Sequence, residues 1–365
     1  CNSGSRKSVR GIFVFKDGGV FWGSYGGAGY VDVSGQCHSI EQINSAYCVL
    51  PLSDSELLVG TEGGFLKVFD RRTLSVRNYD YILSDAVKKK FLYNFPSSVL
   101  SLTQTPHHYL IGSTKGLWAI DKITKVLQPI EIKLDGQLVP NLHIRHILNL
   151  GAEWLVSTPL GLLKVKKEGH AKMLFPAQGS IGIYKTVLAN DTLWLATQGK
   201  GLVAIHKNGS LLKSWTESEG LSANTVFSLE IVNGLKLAGT ADGLSLFQHG
   251  LIRRISEKEG LLHPEFNAGA SFWDVPRGRV FVGGIKGYTV LETNKLQIKS
   301  TVAQSYVSEV HLASSSYPFT KKDFTWPYAN KGMIELSSDE SIVGLYLGTP
   351  AHYRSNVAIK YTIKD

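Results

Sequence analysis

Short apolar runs, punctuated by polar turns that close on glycine, recur along most of this chain. In the clearest stretch, Leu237-Ala238-Gly239-Thr240-Ala241-Asp242-Gly243-Leu244-Ser245-Leu246-Phe247, two apolar runs flank one such turn. The phrase returns over residues 57–69 and 110–120. Seven copies can be laid out, with closing glycines at Gly29, Gly64, Gly116, Gly161, Gly201, Gly243 and Gly287, 35 to 52 residues apart. Four residues before the closing glycine most copies carry a small residue: Gly60, Gly112, Ser157, Gly239 and Gly283. The fifth copy uses Ala196 with one extra residue, and the first uses Gly23 with two. Two places earlier the side chain is always large and apolar: Phe21, Leu58, Leu110, Leu155, Trp194, Leu237 and Phe281.

Apolar runs of this length joined by a glycine turn predict paired antiparallel strands. A further apolar run precedes each pair, as at Val226-Phe227-Ser228-Leu229, and a weaker one follows, as over residues 211–215. Four strands in every ~40–50 residues make one propeller blade. The small residue would let neighbouring blades approach, and the bulky residue before it would fill the space between them. A β-sandwich or an up-and-down barrel would not keep seven copies in phase. No stretch carries helical periodicity over three turns. The expected fold is therefore all-β: a seven-bladed β-propeller over residues 1–299.

After the last copy the pattern changes. Tyr306-Val307-Ser308-Glu309-Val310-His311-Leu312 alternates like a half-buried strand, and a Ser/Tyr/Pro/Lys-rich connector follows over 314–322. Apolar runs at 333–336, 342–347 and 357–363 predict three more strands. Residues 300–365 thus read as the opening of an immunoglobulin-like β-sandwich, too short to close two sheets and cut through at Asp365.

Composition adds limits. The apolar runs fall far short of the ~18 residues needed for a membrane helix. The chain opens without methionine or a signal peptide and is expected to be processed or excised. Cys1-Asn2-Ser3-Gly4 resembles the start of a bacterial lipoprotein, with an arbitrary cut point as the other reading. Cys37 and Cys48 flank a loop suited to a disulfide, with buried free thiols as the alternative. The net charge of +9 favours an acidic partner. Its short basic runs, at Lys88-Lys89-Lys90, Lys166-Lys167, Arg253-Arg254 and Lys321-Lys322, lack interleaved aromatics, so no nucleic-acid contact is expected. The triple lysine falls in an insertion over residues 71–96. No metalloprotease, nucleophile-elbow, paired-cysteine or phosphate-loop motif occurs, and no cofactor or metal is expected. His107-His108 reads as an exposed hairpin turn.

Glu219-Gly220-Leu221-Ser222-Ala223-Asn224-Thr225-Val226-Phe227-Ser228-Leu229, running into residues 234–244, resembles the two-component-regulator propeller repeat. Glu259-Gly260-Leu261-Leu262-His263, leading to Asn267, is a weaker echo. Residues 334–365, with Tyr346, Tyr353 and Tyr361, resemble the first half of the YYY domain that follows such propellers. The first copy lacks the lead-in, and the fourth carries Pro159 in its turn. The resemblance implies the periplasmic sensor region of a hybrid two-component system, of the kind found in glycan-degrading Bacteroidetes. It implies a homodimer through the YYY domain, tethered to the inner membrane and coupled to a cytoplasmic histidine kinase through missing segments. The implied ligand is a glycan fragment, and the basic charge favours an acidic one.

Residues just before each innermost strand should line one face of the propeller: Asn44, Ser97, His143, Arg145, Asn224 and Asn267. Asparagine offers donors and an acceptor to sugar hydroxyls, and arginine can hold a carboxylate or sulfate bidentately. Trp326 and Tyr328 are candidate stacking platforms where the two domains meet. The expected ligand-binding set is His143, Arg145, Asn224, Asn267, Trp326 and Tyr328. The plainer readings are an ion pair for Arg145, turn capping for the asparagines and a packing anchor for Trp326. Trp154 and Trp194 match the core register. This region is expected to be non-catalytic. Two other classes remain: a propeller lyase acting on a polysaccharide or lactone through His143 and Arg145, and a protein-interaction scaffold.

Overall fold

In the computed structural model the described residues are 8–63, 66–83, 98–248 and 250–296, with three further strands between 306 and 348. The chain divides into two units, Cys1–Ile298 and Lys299–Asp365. The first is a seven-bladed β-propeller. Blade 1 holds Val9–Val14, Val20–Ser24, Gly27–Val31 and Cys37–Ile40, paired in that order from the channel outward. The innermost strands of blades 2 to 7 are Cys48–Pro51, Val99–Gln104, His146–Asn149, Ile183–Ala189, Val226–Val232 and Phe266–Asp274. Each touches the next, and Phe266–Asp274 returns to Val9–Val14, so the ring is closed. Among the described residues the only helices are four 3₁₀ turns.

The middle strands of each blade are covered on both sides, which is why strands such as Val20–Ser24 and Leu202–His206 are mostly apolar rather than alternating. Outer strands such as Ser75–Asn78 and Leu211–Trp215 are largely exposed. Leu57 and Val59 point into the layer shared with blade 1, whereas Leu58 points into the layer shared with blade 3. The core is accordingly seven separate clusters, one between each successive pair of blades. The small residue of the repeat sits where two blades come nearest. A Cβ on Gly60 would lie 2.6 Å from Val99 of blade 3, and one on Gly112 2.7 Å from Ile144 of blade 4. On Gly239 it would lie 3.1 Å from Phe266, and on Gly283 2.7 Å from the Val9 carbonyl oxygen. Gly23 faces Ala46 in the same way. Ser157 fills the position with a hydroxyl paired to Thr186 at 2.9 Å. Both sequence expectations for the packing positions thus hold, and Trp154 is buried. Trp194 is only half-buried, stacked 5.3 Å from Trp215 with Lys236 over its ring.

The ring closes without a shared sheet. Blade 1 is built wholly from its own consecutive strands. The seam is held by Val9, Trp22 and Phe281 in one cluster and by Phe13 against Phe272 at 5.2 Å. Asn267 adds two hydrogen bonds across it, donating from Nδ2 to Ser8 Oγ (2.9 Å) and to the Val9 carbonyl (2.7 Å).

Several expectations change. The blade 1 turn is closed by Gly26 and Gly27, while Gly29 lies within a strand opposite Trp22, whose ring leaves no room for a Cβ. Gly64 lies outside the described residues. Cys37 is disulfide-bonded but Cys48 is a free thiol, so the two are not bridged to each other. Cys37 opens the outermost strand of blade 1, whereas Cys48 is on the innermost strand of blade 2, where its Sγ donates to the Val99 carbonyl at 3.4 Å. Burial there pushes the Cys48 thiol up, leaving it protonated and inert. Part of the expected insertion is regular: Ser75–Asn78 is the fourth strand of blade 2, and Ile82–Leu83 adds in parallel to the outer strand of blade 3. The triple lysine lies outside the described residues. In the second unit Tyr306–Ala313 pairs antiparallel with both Lys321–Thr325 and Ile342–Gly348. The expected strands at 333–336 and 357–363 lie outside the described residues.

Three substitutions probe these contacts. Gly112→Val forces Ile144 aside and is expected to cost about 2 kcal/mol, seen as a lower denaturant midpoint at unchanged slope. Gly11→Ala, whose methyl meets nothing nearer than 3.5 Å, is expected to stay close to the parent protein. Asn267→Ala strips the seam of both side-chain bonds and is expected to cost about 1–3 kcal/mol in the same measurement.

Candidate functional site

One repeat position builds one mouth of the channel. In blade 1 the ladder register slips between Val9 and Gly11, so Arg10 is an extra residue opposite Gly23. The same slip makes Leu100, Tyr184 and Phe227 extra residues in blades 3, 5 and 6. In blades 2 and 4 the matching residues are Tyr47 and Arg145, whose N–H groups donate to the carbonyls of Gly60 and Ser157 at 2.9 Å. A bulge of this kind re-aims a side chain that would otherwise follow the pleat. Blade 7 slips further, between Phe266 and Ser271, and brings Ala268 and Gly269 to the mouth. Arg10, Tyr47, Leu100, Arg145, Tyr184 and Gly269, with Ser98, Thr114 and His143, enclose a cavity of about 290 Å³.

The two arginines are held face-on to aromatic rings. The Arg145 guanidinium lies 4.2 Å from the Tyr184 ring centre, and that of Arg10 5.3 Å from Tyr47. Tyr184 in turn meets Phe227 edge-on at 5.0 Å. Stacking covers a guanidinium face and leaves its N–H edge available. Arg145 Nη2 uses part of that edge on Gln198 Oε1 at 3.1 Å. Arg145 Nη1 and Arg10 Nε are buried without a hydrogen-bond partner. Burial, with the positive charge of Arg145, lowers the pKa of His143 from its ordinary value of 6.5, so His143 is neutral at pH 7. Burial raises the pKa of Tyr47, and the nearby Glu62 adds to that effect.

The residues predicted for binding separate. His143 and Arg145 lie together in the cavity. Asn224 is engaged elsewhere, its Oδ1 accepting from the Glu217 N–H (2.9 Å) while its own N–H donates to Glu217 Oε1 (3.0 Å). That clasp fixes the lead-in turn, where Thr216 and Glu219 form a capping box repeated by Ser256 and Glu259. The counterpart of Asn224 in the next lead-in is Pro264, not Asn267: both carbonyls accept from the turn glycine of the preceding blade, Gly201 or Gly243. Asn267 instead spends its side chain on the seam. Trp326 and Tyr328, like Ser97, lie outside the described residues. Arg10, Tyr47 and Tyr184 were missed by the sequence reading, although aligning the copies on the small residue would have found their common register. A second missed signal is the hydroxyl that follows the small residue. Ser24, Ser113, Thr158, Thr197 and Thr240 each donate to the carbonyl of the turn glycine at 2.6 to 2.9 Å.

Another polar group joins the inner strands of blades 5, 6 and 7. Lys185 Nζ contacts Glu230 Oε1 at 2.6 Å and Ser271 Oγ at 3.0 Å, a compensated pair. Among the described residues no cluster of histidine, cysteine and carboxylate side chains could hold a metal ion.

No protein-family model matches this chain, and no curated protein matches its sequence. Solved structures resemble its fold. The extracellular domain of BT4673 from B. thetaiotaomicron, described as a hybrid two-component system, superposes with a TM-score of 0.63 at 16% identity. That match covers 86% of this chain but 42% of the other, so this chain spans less than half of that structure's length. Virginiamycin B lyase from Staphylococcus aureus gives 0.59 at 12% identity, covering 79% of this chain and 95% of the enzyme. The WD40 propeller domain of Doa1 gives 0.60 at 12%, covering 79% and 93%. These likenesses establish the β-propeller class.

A pH dependence follows from the inner strand of blade 4. Burial first, then the charge of Lys185, push the pKa of His146 down to about 3 from 6.5. Its Nδ1 accepts from the Thr186 N–H at 3.5 Å, which requires that nitrogen unprotonated. The unfolded chain binds the extra proton between these two values, so this contribution to stability is intact above pH 6.5 and falls away toward pH 3. His146→Gln is expected to flatten the acid-side slope of denaturant midpoint against pH across that window.

Proposed function

We propose that this chain is the extracytoplasmic, periplasmic sensing region of a hybrid two-component histidine kinase, and that it binds a glycan fragment at the channel mouth. The observation that carries the binding half is the two face-on Arg–Tyr pairs that line a cavity of about 290 Å³. Sugars are gripped by aromatic faces against their C–H surfaces and by planar donors against their hydroxyls. Tyr47, Tyr184, His143, Ser98 and Thr114 supply both kinds of group in one cavity. The sensing half is supported by the likeness of fold to an extracellular two-component domain and by the Glu-Gly-Leu lead-ins before blades 6 and 7.

Signalling requires that the ligand bind one state better than another. In this reading the ligand-bound propeller favours one arrangement of a homodimer formed through the YYY-like unit, and the membrane segments of the intact sensor respond. The second reading is a lyase, for which His143 and Arg145 share the cavity.

Calorimetry of the whole chain against a panel of neutral, uronic and sulfated oligosaccharides tests the proposal. Saturable one-site binding is expected, with Tyr184→Ala weakening it at least tenfold. A panel with no binder would overturn the glycan reading. Accumulation of cleaved product during the titration would replace sensing with the lyase.

A further inference from the structure

We infer that the channel mouth is an oxyanion site, in which Arg10 and Arg145 together hold a carboxylate or sulfate group borne by the sugar. This names the ligand class for the site proposed above and rests on that reading. The two arginines come from blades 1 and 4, three blades apart, as far as a seven-membered ring allows. Both line the same cavity. No carboxylate lines it among the described residues. The carboxylates of two nearby strands and turns are already engaged, Glu230 by Lys185 and Glu62 by the Tyr47 hydroxyl.

An unpaired charge in a partly enclosed cavity is costly unless something compensates it, and a buried N–H without an acceptor adds to that cost. Here two guanidiniums line the cavity with no carboxylate beside them among the described residues, and each also keeps one N–H, Nε on Arg10 and Nη1 on Arg145, packed out of reach of solvent without an acceptor. Their ring partners cover the faces but offer no negative charge. Gln198 accepts one bond from Arg145 and holds the side chain in place without neutralising it. His143, kept neutral, adds no third charge and can serve a neighbouring hydroxyl as donor or acceptor. The contrast with Lys185 is informative. That cation meets a carboxylate at 2.6 Å on the next strand, so this fold can supply counter-charges where none is to come from outside. At the mouth, the compensating group has the size and charge of an oxyanion, and arginine edges suit its planar, bidentate geometry.

The test is calorimetry on the whole chain with four probes: a uronic-acid trisaccharide, its carboxyl-reduced neutral counterpart, a sulfated trisaccharide and sodium sulfate. The acidic trisaccharides are expected to bind at least tenfold more tightly than the neutral one, with affinity falling as salt is raised. Arg145→Gln and Arg10→Gln should each remove about tenfold, or ~1.4 kcal/mol, from acidic ligands only, and Arg145→Lys should restore part of it. Arg10 adjoins the ring seam, so thermal unfolding of each variant checks the fold, and Arg145 alone suffices for the test. Equal affinity for neutral and acidic trisaccharides, or an unchanged preference in Arg145→Gln, would sink the oxyanion site while leaving glycan sensing intact. Binding of sulfate as tight as that of any saccharide would instead keep the oxyanion site and sink the glycan reading.

Discussion

The close approach of neighbouring blades at one repeat position is the constraint on which the rest of the structure depends. A single blade is a sheet with two apolar faces and cannot bury either by itself. Burial comes only from the next blade, so the core is seven layers between sheets rather than one mass. The layers close only where the side chain is absent or small, with Ser157 and Ala196 in blades 4 and 5 and glycine in the other five. Gly23, Gly60, Gly112, Gly239 and Gly283 each leave space that an atom of the following blade occupies. The seam between blades 7 and 1 uses the same contact, through Gly283 and Val9, because no strand is exchanged there.

That constraint also positions the candidate site. The small residue brings the inner strand of the next blade close, and opposite it that blade's own inner strand carries one residue too many. The extra residue cannot enter either interblade layer, so its side chain turns to the channel. Packing dictates the backbone at this position and leaves the side chain free. Blades 1 to 6 accordingly place Arg, Tyr, Leu, Arg, Tyr and Phe there. Side chains at this position can therefore change without disturbing the blades that hold them.

Electrostatics divides the channel into two regions. Lys185, Glu230 and Ser271 form a closed polar set whose charges cancel between adjacent strands. Arg10 and Arg145 rest on aromatic faces and keep donors unsatisfied. The first arrangement serves structure. The second is costly to the isolated protein and makes physical sense for a ligand that brings the missing charge.

The amino-acid pattern by itself determined the architecture, because blade packing is local and repeated: each copy of the phrase records the same turn, the same small residue and the same bulky neighbour. His143 and Arg145 were legible for the same reason, lying just ahead of an apolar run. The fates of Asn224 and Asn267 were not. Both precede or open inner strands, yet one bonds to Glu217 seven residues away and the other reaches Ser8 across the seam. The pairing of cysteines was equally hidden, since Cys37 and Cys48 are near in sequence but on the outermost and innermost strands of successive blades. Tertiary structure alone decided which side chains share the mouth, because a ring brings together residues from blades far apart in the chain, and no spacing along the sequence encodes which of them meet.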